Sequence, residues 1–132
     1  YYNIDPTGKH AVVVGRSPVV GRPLSMLLLH KNATVTVCHT GTKDLSAMTK
    51  QAEILVAAAG CEGMIGAEHI APGAVVLDVG VNWSESLGRY VGDVRFDEAE
   101  AASAVTPVPG GVGAVTTAIL LRNVVQAAKN SL

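Results

Sequence analysis

The sequence predicts an α/β fold: a doubly wound, mainly parallel sheet with helices on both faces. Three observations predict it. Apolar runs of strand length alternate with longer stretches of helical pattern. Each full strand candidate is apolar throughout, as a strand covered on both faces is, and does not alternate apolar with polar. Glycine clusters just after the strand candidates, where the chain has to turn or lie close to something else. Parallel neighbours in one sheet require right-handed crossovers, which puts the ends of all strands on one edge.

Taken in order, residues 1–9 are polar, with Pro6 and Gly8, and read as a linker. The chain starts with Tyr1 and not Met, which fits a piece of a longer polypeptide whose first domain precedes this linker. Residues 10–132 then form one domain, long enough for a core of its own. The first strand covers about 10 to 15, and a helix follows over about 21 to 31 with Asn32 as its stop. The second strand runs from Thr34 to His39, and Thr40 to Thr42 form a turn. Asp44 or Thr42 caps a helix that reaches about Ala52. Glu53 to Ala59 is the third strand, closed by Gly60. One helical turn over 67 to 70 stops at Pro72-Gly73, and the fourth strand runs from Ala74 to Gly80. Residues 82–92 read as a small hairpin around Gly88, and 97–102 as a short helix. Ser103 to Thr106 is the fifth strand, and the last helix spans about 115 to 129.

Composition excludes several classes of function. Of the 132 residues 48% are hydrophobic and 16% charged, so the chain is globular and not disordered. Net charge is −1 and only 4% of residues are aromatic, so there is neither a basic footprint nor a stacking platform for nucleic acid. No apolar run approaches the roughly 20 residues of a membrane-spanning helix, and no secretory signal is visible. Cys38 and Cys61 lie far apart with no C-x-x-C, and read as buried or bystander thiols of a reducing, cytoplasmic compartment, with a disulfide as the alternative. No metal-ligand set stands out.

The chain is organised around residues 10–24. Val12, Val13 and Val14 make a β-branched strand, Gly15 ends it, and Pro23 suits the first turn of a helix. The spacing from Gly15 through Ser17 to Gly21 is not the Gly-x-Gly-x-x-Gly of dinucleotide folds, so a plain turn without a ligand remains an alternative. Arg16 and Ser17 favour a phosphate, because a guanidinium and a hydroxyl at the mouth of a helix dipole are good phosphate partners. In sheets of this kind ligands sit at the carboxyl ends of the strands, so the expected architecture is Rossmann-like.

The second strand end decides which dinucleotide. NAD-binding members of this class place an acid there for the ribose 2′-hydroxyl. Here it reads Cys38-His39-Thr40, with no carboxylate. A 2′-phosphate would be repelled by an acid and accepted by His39, Thr40 and Arg16, so the cofactor expected is NADP. The missing acid also argues against S-adenosylmethionine. His39 as a loop residue without a ligand is the alternative. Thr106 to Thr116 is the least ordinary stretch: Pro107, Val108, Pro109, Gly110 and Gly111 read as a wall for a flat ring, or else as a rigid connector. Thr116 and Thr117, at the opening of the last helix, offer hydroxyls to the cofactor.

Five separated strings carry a family resemblance. They are Gly15-Arg-Ser-x-x-Val-Gly-x-Pro23, Ala33-Thr-Val-Thr-x-Cys-His39, Gly73-Ala-Val-Val-x-Asp-Val-Gly80, Val91-Gly-Asp-Val94 and Thr106-Pro-Val-Pro-Gly-Gly-Val-Gly113. In this order the chain resembles the methylenetetrahydrofolate dehydrogenase/methenyltetrahydrofolate cyclohydrolase family over residues 8 to 130, and resembles only its second, NADP-binding domain. The resemblance implies that Gly15, Arg16, Ser17 and Gly21 hold cofactor phosphates, with Thr40 joining Arg16 at the 2′-phosphate. It implies that Val81 touches the nicotinamide end and that Pro107 to Val115 line the folate side, Pro107 to Gly111 foremost, while Gly60 and Thr117 are expected at the cofactor from their places after the third strand and at the opening of the last helix. One departure is Val112-Gly-Ala-Val-Thr116, where relatives carry Val-Gly-Pro-Met-Thr. This bears on substrate fit.

The family passes a hydride from 5,10-methylenetetrahydrofolate to NADP and then hydrolyses the methenyl cation, within one-carbon metabolism and purine biosynthesis. It implies a homodimer as well. The proton-transferring lysine belongs to a Tyr-x-x-x-Lys motif on the first domain, and this sequence contains none. No catalytic residue is therefore assigned to this chain. Asp78 is weighed as catalytic against a structural hydrogen-bonding role. The rival readings are a stand-alone nucleotide-binding module without chemistry and a different NADP oxidoreductase, such as a relative of shikimate dehydrogenase.

Overall fold

In a computed structural model, which describes residues 2–131, five strands form one parallel sheet. They are β1 (His10–Val14), β2 (Thr34–Cys38), β3 (Ile54–Ala57), β4 (Val75–Asp78) and, after a two-stranded hairpin of β5 (Asn82–Ser84) and β6 (Arg89–Val91), β7 (Ala104–Val105). Their spatial order is β2-β1-β3-β4-β7. The chain leaves β1 to one side to make β2 and crosses to the other side to make β3. The strand order therefore reverses between the parallel neighbours β1 and β3, where Val14 lies beside Ala57. Such a switch point opens a crevice for a ligand.

The apolar strands split their side chains between two cores, as the two-residue period of a strand requires. Val12, Val14, Leu55, Ala57 and Val76 face one layer, which Ile65, Ile70 and Val94 fill and α2 (Leu45–Thr49) covers with Leu45 and Met48. Ala11, Val13, Ile54 and Val56 face the other, where α1 (Gly21–His30) packs Leu24 and Leu28 one turn apart. Leu55 is fully buried. Truncating it to Ala would cost roughly 2–5 kcal/mol, most of it the price of the cavity.

Local signals set the ends of the helices. Asn32 sits at φ 60°, a left-handed conformation that Asn tolerates, and the following N–H of Ala33 reaches back to the Leu28 carbonyl. Asp44 caps α2, accepting the Ala47 N–H at 3.0 Å. Thr42, the other capping candidate, instead accepts the His39 N–H at 2.9 Å. The hairpin turns at Gly88, at φ 60°.

Several boundaries differ from the sequence reading. The helix expected to reach Ala52 stops at Thr49, and the helix expected over 97–102 is only a 3₁₀ turn at Phe96–Glu98. The last helix, α3 (Val112–Asn130), starts three residues earlier than expected, with Gly111 as a non-helical N-cap at φ −95° and ψ −118°. It also buries none of its residues. Leu120, Leu121, Val124 and Val125 share one side of it, and each is more than half exposed. No helix among the described residues is long and apolar enough to cross a membrane.

Candidate dinucleotide site

The exits of β1 to β4 and the Pro107–Gly111 loop lie along the carboxyl edge of the sheet. At the β1 exit Gly15 has φ 121°, and a Cβ there would strike the Ala58 carbonyl. A Cβ on Gly21 would strike the carbonyl of Gly15 itself. Both glycines are needed for close backbone approach at the switch point, so the Gly15–Gly21 turn is as tight as the shorter glycine motif would make it.

Ser17 shapes this turn. Its hydroxyl oxygen accepts the N–H groups of Val20 at 3.1 Å and Gly21 at 3.4 Å, and its carbonyl accepts that of Arg22 at 3.1 Å. Pro23 has no N–H to give. The first turn of α1 is thus satisfied internally and has no bare N–H group left for a ligand. What remains for an anion is the Ser17 O–H, the main-chain N–H groups of Arg16 and Ser17, which have no partner among the described residues, and the exposed Arg16 guanidinium. The positive end of the α1 dipole still points there.

At the β2 exit His39 builds its own turn. Its Nδ1 accepts the Gly41 N–H at 3.0 Å, and its carbonyl accepts the Thr42 N–H at 2.8 Å. A lone pair on Nδ1 places the ring hydrogen on Nε2, free to donate outward. His39 and Thr40 are both exposed, and no acid stands with them.

At the other end of the edge Val81, Pro107–Gly111, Thr116 and Thr117 line one cavity of about 610 Å³, with Val20 of the glycine turn on its wall. Pro107, Val108 and Pro109 also line a second cavity of about 610 Å³, on whose far side stand Arg89, Arg95 and Phe96. The loop is therefore a partition with open space on both sides. The hydroxyls of Thr116 and Thr117 each donate to the carbonyl four residues back, Val112 and Gly113, at 3.1 Å. Their hydrogens are committed, so they offer a ligand lone pairs, suited to an amide N–H and not to a phosphate. Where relatives carry proline, Ala114 has an N–H, and it donates to the Gly111 carbonyl at 3.2 Å. That bond holds the opening of α3 in place of a ring.

Two buried acids support the middle of the edge. Asp78 accepts the N–H groups of Gly80 at 2.9 Å, Asp93 at 3.0 Å and Val94 at 2.9 Å. Burial pushes its carboxyl above the ordinary 3.8, the three N–H bonds oppose the rise, and the neighbouring Asp93 adds to it. With its oxygens turned inward, Asp78 takes the structural role of the two weighed for it. Asp93 is fully buried and accepts N–H groups of Ala59, Gly60 and Cys61, on the β3 exit, at 2.7, 2.9 and 2.8 Å. The sequence reading quoted Asp93 only inside Val91-Gly-Asp-Val94 and gave it no role. The signal that could have found it is a lone acid inside a run of glycine and valine. Gly60, singled out as cofactor-lining, is at the edge as expected, but its N–H is taken by Asp93. The thiols are free, Cys38 buried and Cys61 exposed.

Sheet order, switch point and edge define a dinucleotide-binding domain of the Rossmann kind. The chain belongs to the tetrahydrofolate dehydrogenase/cyclohydrolase family, whose NAD(P)-binding domain model matches residues 1–132. It is 59% identical over 123 residues to the bifunctional protein FolD of Brevibacillus brevis, a match that covers 92% of this chain and 43% of that protein. The crystal structure of the bifunctional FolD methylenetetrahydrofolate dehydrogenase/cyclohydrolase of Campylobacter jejuni superposes with a TM-score of 0.93 at 51% identity, over 99% of this chain and 46% of that one. A Trypanosoma brucei FolD solved with NADP and an inhibitor gives a TM-score of 0.87 at 42% identity, over 97% of this chain and 46% of that one. The chain thus spans less than half the length of these relatives.

Proposed function

We propose that this chain is the NADP-binding domain of a bifunctional 5,10-methylenetetrahydrofolate dehydrogenase/5,10-methenyltetrahydrofolate cyclohydrolase of cytoplasmic one-carbon metabolism, serving purine biosynthesis. One observation carries the choice of NADP: the β2 exit presents His39 and Thr40 with no acid, and the exposed Arg16 has no ion-pair partner among the described residues. The dinucleotide lies along the edge, its phosphates on Gly15 to Ser17 and Gly21, its 2′-phosphate on Arg16, His39 and Thr40. Its middle passes Gly60, and its nicotinamide end reaches Val81 and Thr117. The folate stands on the Pro107–Gly111 partition.

In the dehydrogenase step the bound cofactor accepts a hydride from the one-carbon bridge. A nitrogen lone pair of the substrate fills the cation left behind, so no base is needed. The work of this chain is alignment and exclusion of water. Val81, Val108 and the prolines are suited to that, because they are apolar and shape the cavities.

Ring opening by water needs a positioned proton carrier. The acids nearest the edge, Asp78 and Asp93, are occupied by main-chain N–H groups, so the proton carrier is assigned to a first domain that precedes residues 1–9. That domain also supplies a cover for the apolar side of α3, and the whole enzyme is a homodimer. The free thiols fit a reducing compartment.

Titration of the chain with NADP and, separately, NAD at fixed salt tests the reading. Preference for NADP, with no methylenetetrahydrofolate oxidation by the chain alone, is the expected result. Preference for NAD would overturn the reading of the β2 exit, and an ordinary oxidation rate would overturn the assignment of chemistry to another domain.

A further inference from the structure

We propose that Asp93 is a positioning residue for cofactor binding: its carboxylate holds the β3 exit, Ala59 to Cys61, in the path that leaves the crevice open beside Gly15. The proposal rests on the cofactor reading above and goes beyond it, since Asp93 is assigned no contact with the dinucleotide and meets its proposed path only through the Gly60 N–H.

The geometry is specific. Oδ2 of Asp93 takes the Ala59 and Gly60 N–H groups, and Oδ1 takes the Cys61 N–H and the Asn82 side-chain amide, 2.9 Å away. Four donors converge on one side chain. A carboxylate has lone pairs for all of them, whereas an amide in its place offers one acceptor oxygen and turns an NH₂ toward the rest. Among the described residues no Lys, Arg or His lies within ion-pair distance of Asp93. The charge is held by main-chain and amide dipoles alone.

The consequence falls on the crevice. The three N–H groups are committed to Asp93, so the loop has none of them left for a ligand. Ala58, the residue just before them, is the one whose carbonyl bears on Gly15. If the loop lost its anchor, three adjacent N–H groups would need other partners, and the loop would leave the path that keeps the crevice beside Gly15 open. Asp93 is anchored in turn, because its own N–H is held by Asp78. The β3 exit, the β4 exit and the hairpin are thereby fixed to one another.

The test uses the 132-residue chain, NADP as the probe and Asp93→Asn, at a temperature where both proteins are fully folded. The expected result is NADP binding about tenfold weaker in Asp93→Asn, with the amide signals of residues 59–61 shifted. Wild-type binding with no more than a twofold change in folded Asp93→Asn would overturn the proposal and leave Asp93 structural only. Absence of NADP binding by the wild-type chain would instead sink the cofactor reading, and this proposal with it.

A second measurement needs no variant. In the free chain the Ala59, Gly60 and Cys61 N–H groups should exchange with deuterium at least about a hundredfold more slowly than open loop amides. Fast exchange that slows only when NADP is added would mean that the ligand orders the loop, and the proposal would fall.

Discussion

The main-chain N–H of Asp93 donates to the Asp78 carboxylate at 3.0 Å, so one buried acid is held in place by another. The two are interlocked through glycines. A Cβ on Gly92, just before Asp93, would strike the Asp78 carboxylate, and a Cβ on Gly80, two residues after Asp78, would strike that of Asp93. Each acid occupies the space that the other's neighbouring glycine leaves open.

Asp78→Asn tests this interlock. Oδ1 of Asp78 serves Gly80 and Asp93, and Oδ2 serves Val94. An amide keeps one oxygen and sets an NH₂ against the N–H of Val94. The expected loss is about 2 kcal/mol of stability, read as a lower midpoint in urea with an unchanged slope.

Gly15→Ala and Gly60→Ala separate close approach from backbone strain. Both glycines have positive φ, but a side chain on Gly15 meets the Ala58 carbonyl and one on Gly60 meets nothing within 4 Å. Gly60→Ala should cost about 1–2 kcal/mol. Gly15→Ala should cost about 3 kcal/mol or more and abolish NADP binding. Denaturant titration of the two variants side by side checks the order.

Arg16→Ala should weaken NADP about 10- to 100-fold, the worth of one or two hydrogen bonds to a charged phosphate. NAD binding should change far less. The ratio of the two dissociation constants reads this directly, and an equal loss for both would move Arg16 away from the 2′-phosphate.

Thr117→Val removes an acceptor whose hydrogen is already committed to the Gly113 carbonyl at 3.1 Å. NADP should bind about threefold to tenfold more weakly, while stability should stay within about 0.5 kcal/mol of wild type. Calorimetry with the cofactor and thermal unfolding without it give the two values.

Asp44 supplies the acid-side pH dependence. The Ala47 N–H, and then the Ser46 hydroxyl, hold its carboxyl below the ordinary 3.8. A depressed acid contributes stability that is present above 3.8 and is lost as the pH falls through the lowered value. The stability difference between wild type and Asp44→Asn should therefore shrink on acidification below 3.8. Urea titrations across that range would show it, and a constant difference would mean that the cap is not made by the charged form.

Much of this was legible in the sequence because it is local. β-branched runs specify strands, Gly15 specifies a turn, and Asn32 and Asp44 mark helix ends through bonds to residues only a few positions away. The edge itself was legible from topology, since parallel strands have to share one. Three features were not. Beyond the phosphate role that the sequence suggests for Ser17, its oxygen accepts the Val20 and Gly21 N–H groups, and that second task depends on a turn conformation that spacing does not encode. Asp93 was invisible as a support because its main-chain donors lie 32 to 34 residues away along the chain. The exposed course of α3 was invisible because its apolar pattern does not say which surface it will meet.

The His39–Thr42 turn hangs from β2, an edge strand of the sheet. His39 and Thr40 project from it into solvent and bury nothing. In the proposed reading coenzyme preference is written on the margin of the molecule, while the residues that make it fold lie in β1, β3 and β4. An acid substituted at either position could redirect the domain toward the unphosphorylated dinucleotide without disturbing a single core contact. A lineage could change its electron carrier in this way and keep its architecture.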